Sequence, residues 1–372
     1  MTRSHRYSPV CILTAVLVVA VSASAAQAQK AKGPDYGLWV LNTFFITEFQ
    51  GNDLVKGGVR SPRILFGVRD LNTPVGIAWD KEQNLWLSFD DPSRGEIVKL
   101  TPRQVRALSS DQGVKVQNVV LLQDSKSKSN SPFSDPTQIG FDKEGDLWVM
   151  DSPTSSVMEF TPDQIGTSGA PTPAVRIRAG LFIEPGKMRF DASDNLWVEW
   201  EIGQVPGDDE LVRFSPEDRT ASGPPTPSLI VDIPLNPGVD EDFAFDGSGN
   251  LWIANVTTTT SFDTIVELLM VPQDQIAGSG EVTASPAITI VLPEFAQRPC
   301  VDDVFIDFDP FGALWVSGSP QESNCNQFEQ VDKFTPEQLI SSGNAISAVR
   351  LRPNRGLTNF RSPRIRVGPP IR

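Results

Sequence analysis

Carboxylate and amide side chains recur at two kinds of position in this chain, and both kinds could bind a hard metal ion. One group lies just before apolar segments that end in Asp, and comprises Asp135, Glu184, Glu241 and Asp302. The other group follows Leu-Trp dipeptides, and comprises Asp151, Glu199 and Asn255. Ca²⁺ and Mg²⁺ prefer oxygen ligands of this type. All seven are candidate binding residues, and the first four are the candidate metal ligands; the alternative is a solvated acidic rim.

Other chemistry has few candidates. The single histidine, His5, lies in an N-terminal segment that we expect to be removed. A Ser–His or Cys–His nucleophile pair is then unavailable to the mature chain. Acid–base work would fall to carboxylates or to Lys187, with pKa values tuned by burial. The alternative for Lys187 and Arg189 is ion pairing with Asp242 and Asp307 inside the channel. No catalytic residue can be assigned from the sequence.

Residues 1–28 have the features of a Sec-type signal peptide. Arg3 and Arg6 precede an apolar run over 10–21, and Ala26-Gln27-Ala28 fits a cleavage site. The run is too short to span a bilayer, and no later run is long enough. We therefore expect a secreted or periplasmic protein that begins at Gln29 and has no membrane span.

The charge and the cysteines limit the partners. The full chain has a net charge of −14, and removal of residues 1–28, with two arginines and no acids, would leave −16. Duplex nucleic acid needs a positive surface, so it is excluded as a partner. Cys300 and Cys325 would be the two remaining cysteines, and an even pair in an exported protein predicts one disulfide.

A short motif recurs along the chain: an apolar segment ending in Asp, a tight turn, and Leu-Trp followed by a branched apolar residue. It occurs at 77–87, 139–149, 188–198, 243–253 and 306–316, with a partial copy at 36–40. Each full copy continues into a third strand that ends near Thr-Pro, a short helical turn, and a fourth strand. Repetition of a four-stranded unit at about 50 residues is typical of a β-propeller.

Six blades follow if the chain ends meet. Residues 36–66 lack an innermost strand, and the alternation at 362–367 supplies one, which closes the ring and removes exposed sheet edges. We therefore predict an all-β, six-bladed propeller of four-stranded blades that occupies residues 29–372 as one domain. The candidate acids then gather at the channel mouth, defined as the end where the innermost strands begin.

The motif residues have structural interpretations. The repeated tryptophans are predicted to fill the wedges between blades, and Trp79 to join them. Trp200 does not align with an apolar position of the repeat and is the best candidate for an exposed aromatic residue. The aspartates that end the innermost strands are predicted to bond the turn backbone rather than Ca²⁺. The glycines at 169, 223 and 343 are predicted to end the short helical turns.

The hairpin motif with its Phe-Thr-Pro strand resembles the NHL, SMP-30/gluconolactonase and streptogramin-lyase-like propellers. The resemblance covers nearly all of 36–367 and implies a site at one channel mouth. It also implies divalent-metal lactonase or lyase activity for some members. This chain departs from both enzymes: five residues before each repeat Asp only Glu241 could bind a metal, and the mature chain lacks the lyase histidine.

Two functions remain open from the sequence. The first is an exported binding or interaction module that uses the acidic channel mouth. The alternative is a divalent-metal-dependent hydrolase or lyase of the SMP-30/gluconolactonase type that uses Ca²⁺ or Mg²⁺. In either case we expect a monomer whose partner is an unidentified small molecule or protein.

Overall fold

The structure is a computed structural model. It describes residues 35–41, 45–62, 64–66, 68–69, 73–90, 95–107, 114–115, 120–123, 135–178, 182–202, 209–233, 242–258, 264–293, 295, 301–320, 331–353 and 364–370. The predicted signal peptide, Cys300 and Cys325 lie outside these ranges, so the cleavage site and the disulfide stay predictions.

The protein is a six-bladed β-propeller, as predicted. Each blade has four antiparallel strands, which follow in order from the innermost to the outermost. Blade 1 is Arg364–Gly368, Gly37–Leu41, Ile46–Gln50 and Ile64–Phe66. Blade 2 is Thr73–Trp79, Leu85–Asp90, Glu96–Leu100 and Val120–Gln123. Blade 3 is Pro136–Phe141, Leu147–Asp151, Ser156–Phe160 and Val175–Ile177. Blade 4 is Phe182–Phe190, Leu196–Ile202, Asp209–Phe214 and Leu229–Asp232. Blade 5 is Asp242–Phe245, Leu251–Thr258, Thr264–Val271 and Ile288–Val291. Blade 6 is Val301–Phe308, Leu314–Pro320, Val331–Phe334 and Val349–Pro353.

The elements outside the blades are short. Among the described residues, two α-helices span Asp53–Lys56 and Pro102–Ala107, and 3₁₀ turns span Ser152–Thr154, Gln273–Gln275 and Pro336–Gln338. Five further strands in these ranges are Gly58–Arg60, Val68–Arg69, Val114–Lys115, Gly280–Thr283 and Gly343–Asn344. No helix in the described ranges combines the length and hydrophobicity that a bilayer crossing requires.

The C-terminal strand closes the ring, which confirms the predicted pairing. Arg364–Gly368 runs antiparallel to Gly37–Leu41, with Arg366 opposite Trp39. Tyr36 adds a side-chain link from blade 1 to blade 6. Its hydroxyl donates to Asp309 at 2.6 Å and accepts from the indole N–H of Trp315 at 3.3 Å.

The core consists of six apolar clusters, one at each interface between neighbouring blades. The Leu-Trp tryptophans are buried in these clusters, as predicted. Five of them contact an aromatic ring on the innermost strand of the next blade, and Trp39 meets Trp79 in this way, with ring centroids 5.8 Å apart. Packing between blades therefore accounts for the repeated aromatic residues.

The prediction that Trp200 is exposed is wrong. Its relative exposure is 0%, and it packs between blades 3 and 4 with Phe214, the ring centroids lying 6.2 Å apart. The strand Leu196–Ile202 continues past the usual motif. Strand alternation then places Trp200 on the same face as Leu196 and Val198. The preceding acid, Glu199, belongs to the opposite face.

The aspartates of the motif bind the turn and the tryptophan, as predicted for the turn. Asp246 accepts from the backbone N–H groups of Ser248 and Asn250 at 2.8 and 3.0 Å, and from the Asn250 side chain at 2.9 Å. It also accepts from the indole N–H of Trp252 at 3.1 Å. The same bond to the indole is made in blades 2, 3 and 4. The carboxylate therefore fixes the turn and the wedge residue together.

An outer belt links every blade to the next. The segment after the third strand of each blade pairs in parallel with the outer strand of the preceding blade or, for blade 2, with residues 68–69, which follow the outer strand of blade 1. The pairs are 68–69 with 114–115, Leu122 with Gly169, Ile177 with Gly223, 229–232 with 280–283, 290–291 with 343–344, and 351–353 with 58–60. Glycines 169, 223 and 343 therefore contact the neighbouring blade, and their predicted role as helix ends is wrong. Gly223 has φ 131°, a conformation open to glycine.

Candidate functional site

Two layers of side chains surround the central channel. The residues opposite the Leu-Trp tryptophans form the lower layer: Ala78, Gly140, Arg189, Ala244, Asp307 and Arg366. Two residues earlier on the same strands lies the upper layer, nearer the mouth: Gly76, Gln138, Lys187, Asp242, Phe305 and Arg364. Three of the six lower positions are Gly or Ala, so the charged residues of that layer are concentrated on blades 4, 6 and 1.

Polar groups of each blade bond to the innermost strand of the next, and together they form an inner circuit. Gln138 accepts from the backbone N–H of Met188 at 2.9 Å, and Asp242 accepts from that of Ile306 at 2.9 Å. The remaining links join Ser88 to the carbonyl of Thr137, Arg189 to that of Phe243, Asp307 to the N–H of Val367, and Arg364 to the carbonyl of Val75. The innermost strand edges, which would otherwise be unpaired, are satisfied in this way.

Arg189 joins two carboxylates at the centre of the channel, as the sequence predicted. Its guanidinium lies 2.7 Å from Asp242 and 3.5 Å from Asp307. Burial raises the pKa of Asp307 to about 6, although the charge of Arg189 acts in the opposite direction. Lys187 differs from the prediction. It is 8% exposed, and its ammonium lies 5.8 Å from the Phe305 ring centroid, with no carboxylate partner among the described residues.

A recess opens beside this cluster. Its enclosed space is about 20 Å³, room for about one water molecule, and the wider opening of about 340 Å³ includes solvent. The lining residues are Val75, Gly76, Ile77, Gln138, Ile139, Asp242, Phe305, Arg364, Ile365 and Arg366. Gly76 lines the recess without a side chain, and Asp242 adds a carboxylate to the lining. The recess therefore has a cationic side on blade 1 and an apolar side on blades 2 and 6.

The candidate residues with described side chains lie at the mouth, where they are buried or already hydrogen-bonded to the protein. Asp151 is fully buried and accepts from the backbone N–H of Asp135 at 2.7 Å and from the hydroxyl of Thr154. Asn255 is buried and donates to Glu267 at 3.3 Å. Glu199 is buried beside Gly186.

The other three candidates are only partly placed. Glu184 lies in the innermost strand Phe182–Phe190 and Asp302 in Val301–Phe308, but their side chains are outside the description. Glu241 lies outside the described residues altogether. Of the proposed metal ligands, Asp135 alone has a described side chain. The predicted Ca²⁺ or Mg²⁺ site therefore stays a prediction.

Within the described ranges, one acidic cluster of metal-binding geometry lies at the other end of the channel, in the turns of blades 3 and 4. It consists of Asp142, Glu144 and Asp194. Arg219 occupies it, with contacts of 2.8 Å to Asp142 and 2.5 Å to Asp194. Its guanidinium also lies 5.0 Å from the Trp148 ring centroid. An arginine therefore supplies the positive charge that a metal ion would bring.

Sequence reasoning missed the cationic side of the recess. Arg364, Arg366 and Phe305 drew no attention, because the chemistry was sought among acids. A signal was available: pairing of 362–367 with the Leu-Trp strand of blade 1 places Arg364 and Arg366 on the same face, and places Arg366 in register with Arg189 and Asp307. The signal is visible only when the predicted pairing of the C-terminal strand is considered together with the charged residues on that strand.

Comparison with known proteins identifies the fold. No protein-family model matches the chain, and no curated protein sequence does. Among solved structures, a protein of unknown function from Bacteroides caccae is 9% identical, with 90% of this chain and 99% of that chain covered and a TM-score of 0.51. Virginiamycin B lyase from Staphylococcus aureus is 10% identical, with 82% and 83% covered and a TM-score of 0.43. A gluconolactonase from Xanthomonas campestris is 15% identical, with 78% and 90% covered and a TM-score of 0.41. The likeness to the Bacteroides caccae structure supports the fold alone.

Proposed function

We propose that the protein is an exported binding module whose ligand enters the channel mouth and contacts the recess. The observation that carries the proposal is the recess itself. It is a concave opening in the channel with apolar walls and a few convergent polar groups, and its enclosed part is only about 20 Å³. Small-molecule sites are concave and mostly apolar with a few placed polar groups, so a ligand held here would lie mainly in the channel mouth above the recess.

The channel residues favour binding over turnover. Arg189, Asp242 and Asp307 bond to one another and to the backbone of neighbouring blades, so their side chains are held in place by structural contacts. The chain's single histidine is His5, and Asp151 beneath the mouth is engaged by backbone and hydroxyl donors. The described residues therefore contain no nucleophile with an adjacent histidine base.

A recess-filling variant tests the proposal. We expect Val75→Phe to block the recess, because Val75 lines it and is almost buried. The matched control is Val59→Phe, since Val59 is exposed on the outer belt. A library of small organic molecules is screened against the three proteins by ligand-observed NMR. Compounds that bind the wild type and Val59→Phe but not Val75→Phe support the proposal. The absence of any such compound would contradict it.

The enzyme alternative is tested separately. Wild-type protein is assayed for hydrolysis of lactones and esters with Ca²⁺, Mg²⁺, Mn²⁺ or Zn²⁺ present. Robust turnover that Glu241→Ala abolishes would replace the binding module by a metal-dependent hydrolase. We expect no turnover above that of the buffer with the same metal.

A further inference from the structure

We propose that blade 6 and the adjoining segment of blade 1 form an interface for a second copy of this chain. The interface is the apolar patch, defined as the large apolar residues that are exposed within the described ranges: Phe311, Ile340, Ile346, Val55 and Val59. The patch lies at the end of the channel opposite the mouth, so the proposal does not depend on a ligand at the mouth. A dimer differs from the monomer that the sequence led us to expect.

The patch residues lie in one sector of the propeller, at the end where the third strands finish. The phenylalanine is in the hairpin turn of blade 6, and the two isoleucines are in the segment between its third and outer strands. The two valines are in residues 53–60 of blade 1, whose strand Gly58–Arg60 pairs with the outer strand of blade 6. Gly57 holds this segment against blade 6, because a Cβ atom there would lie 2.6 Å from the carbonyl oxygen of Arg350. Apolar exposure in the described chain is therefore concentrated at one seam between blades.

The other blades show that the fold does not require an apolar residue at the turn position of Phe311. The backbone N–H groups of Ser193, Ser248 and Phe311 each donate to the motif aspartate of their own blade, at 2.8, 2.8 and 3.0 Å. Blades 4 and 5 therefore carry serine at this position, and blades 2 and 3 carry Glu82 and Glu144. All four of these polar residues are exposed, as Phe311 is.

The two isoleucines depart from the repeat in the same way. A glutamine side chain donates to the carbonyl of Thr172 in blade 3, of Ser285 in blade 5 and of Ile346 in blade 6, at 2.6, 3.0 and 2.7 Å. Ile340 follows a buried leucine and corresponds to Gly166 of blade 3, which follows a buried isoleucine. Blade 6 thus places apolar side chains at exposed positions that are polar or small in the blades compared. Such a concentration of exposed apolar surface marks an interaction site.

The exposed area of the patch is that of a homodimer interface. The relative exposures are 66% for Phe311, 74% for Ile340, 68% for Ile346, 55% for Val55 and 58% for Val59. At about 150–200 Å² for a fully exposed residue of this size, the patch presents roughly 500–600 Å². A standard interface buries about 800 Å² per partner, and about 65% of a homodimer interface is apolar, so the two areas agree.

The charges at the two ends of the patch favour a second copy over a different partner. Glu337 is exposed beside the isoleucines, and Lys56 is exposed beside the valines. A two-fold axis through the patch brings each end towards the opposite end of the other copy, so Glu337 of one copy approaches Lys56 of the other. An isologous interface requires this self-complementarity, and two-fold dimers are the commonest oligomers. Phe311 supplies an aromatic anchor, since Tyr36 supports one side of its ring with the centroids 6.1 Å apart.

Sedimentation velocity of the purified chain between about 1 and 100 µM tests the proposal. The variants are Phe311→Ser and Ile346→Thr, which introduce residues that other blades carry at the equivalent positions, so both should fold. The matched controls are Ser248→Thr and Thr172→Ser, at the same two positions in blades 5 and 3. We expect the wild type and the controls to form a dimer as the concentration rises. The dimer dissociation constant should increase at least about tenfold in each patch variant, and circular dichroism checks that each protein is folded.

Four results would overturn the proposal. The first is a monomer throughout the concentration range, and the second is a dimer that both patch variants leave unchanged, since it must use another surface. The third is continued growth beyond two copies, which indicates a head-to-tail contact instead of a closed dimer. The fourth comes from sedimentation with vesicles of phosphatidylglycerol and phosphatidylcholine. A monomer that binds these vesicles, and loses the binding in Phe311→Ser and Ile346→Thr, would make the patch a membrane-docking surface.

Discussion

The bond between the motif aspartate and its tryptophan can be measured most clearly in blade 5. Asp246 accepts four hydrogen bonds, and its tryptophan, Trp252, is almost fully buried. Met270 stands opposite Trp252, so no cation on the third strand complicates the measurement. In Asp246→Ala the turn groups of Ser248 and Asn250 can turn to water, because Ser248 is exposed and Asn250 is partly exposed. The indole N–H cannot, and its unsatisfied state costs about 1–3 kcal/mol.

We therefore expect Asp246→Ala to lower the free energy of unfolding by about 4–6 kcal/mol, counting about 1 kcal/mol for each of the three lost turn bonds and the cost of the stranded indole N–H. In the Trp252→Phe background the same substitution should cost about 1–3 kcal/mol less, because no indole N–H remains to be stranded. Urea unfolding followed by far-UV circular dichroism gives the four values of the cycle. Equal costs of Asp246→Ala in both backgrounds would refute the reasoning.

Three further outcomes are expected. Truncation before Arg364 removes the innermost strand of blade 1, so the melting temperature should fall sharply, whereas removal of residues 371–372 should leave the melting curve unchanged. Asp307 stays protonated to about pH 6 in the folded protein but only to about pH 4 in the unfolded chain, so folding binds a proton in that window and stability falls as pH rises through it. Asp307→Asn should remove this decline, so its free energy of unfolding should rise relative to that of the wild type by up to about 3 kcal/mol between pH 4 and pH 7. Urea unfolding at several pH values measures this difference, and parallel pH profiles of the two proteins would contradict it. Mass spectrometry of the protein secreted by a bacterial host should find Gln29 as the first residue, and an intact N-terminus would count against the signal peptide.

The architecture was predictable because one motif carries it six times. The period, the turn aspartate and the wedge tryptophan repeat closely enough to identify blades. The strand predicted at 362–367 belonged to no complete repeat, and blade 1 was the blade that lacked an innermost strand. Trp200 was not predictable in this way. Its burial depends on a strand that continues past the motif, and the repeat contains no information about that extension.

The site was less predictable than the fold. Charged residues of a propeller channel act across blades, as Arg189 does with Asp242 and Asp307, and such contacts depend on register between distant segments. Composition drew attention to the acids because they are abundant. The informative residues were the few cations in register with the tryptophans, Arg366 above all, and their meaning depends on which strand closes the ring.

The separation of the two closing strands along the chain also constrains how the protein folds. Arg364–Gly368 follows the other five blades in the chain, whereas its partner Gly37–Leu41 precedes them. Until the distant strand docks, Gly37–Leu41 keeps one unpaired edge, which is a template for aggregation. Ring closure is therefore the step of folding that removes this edge. A chain that lacks residues 364–368 would keep five complete blades and an open ring.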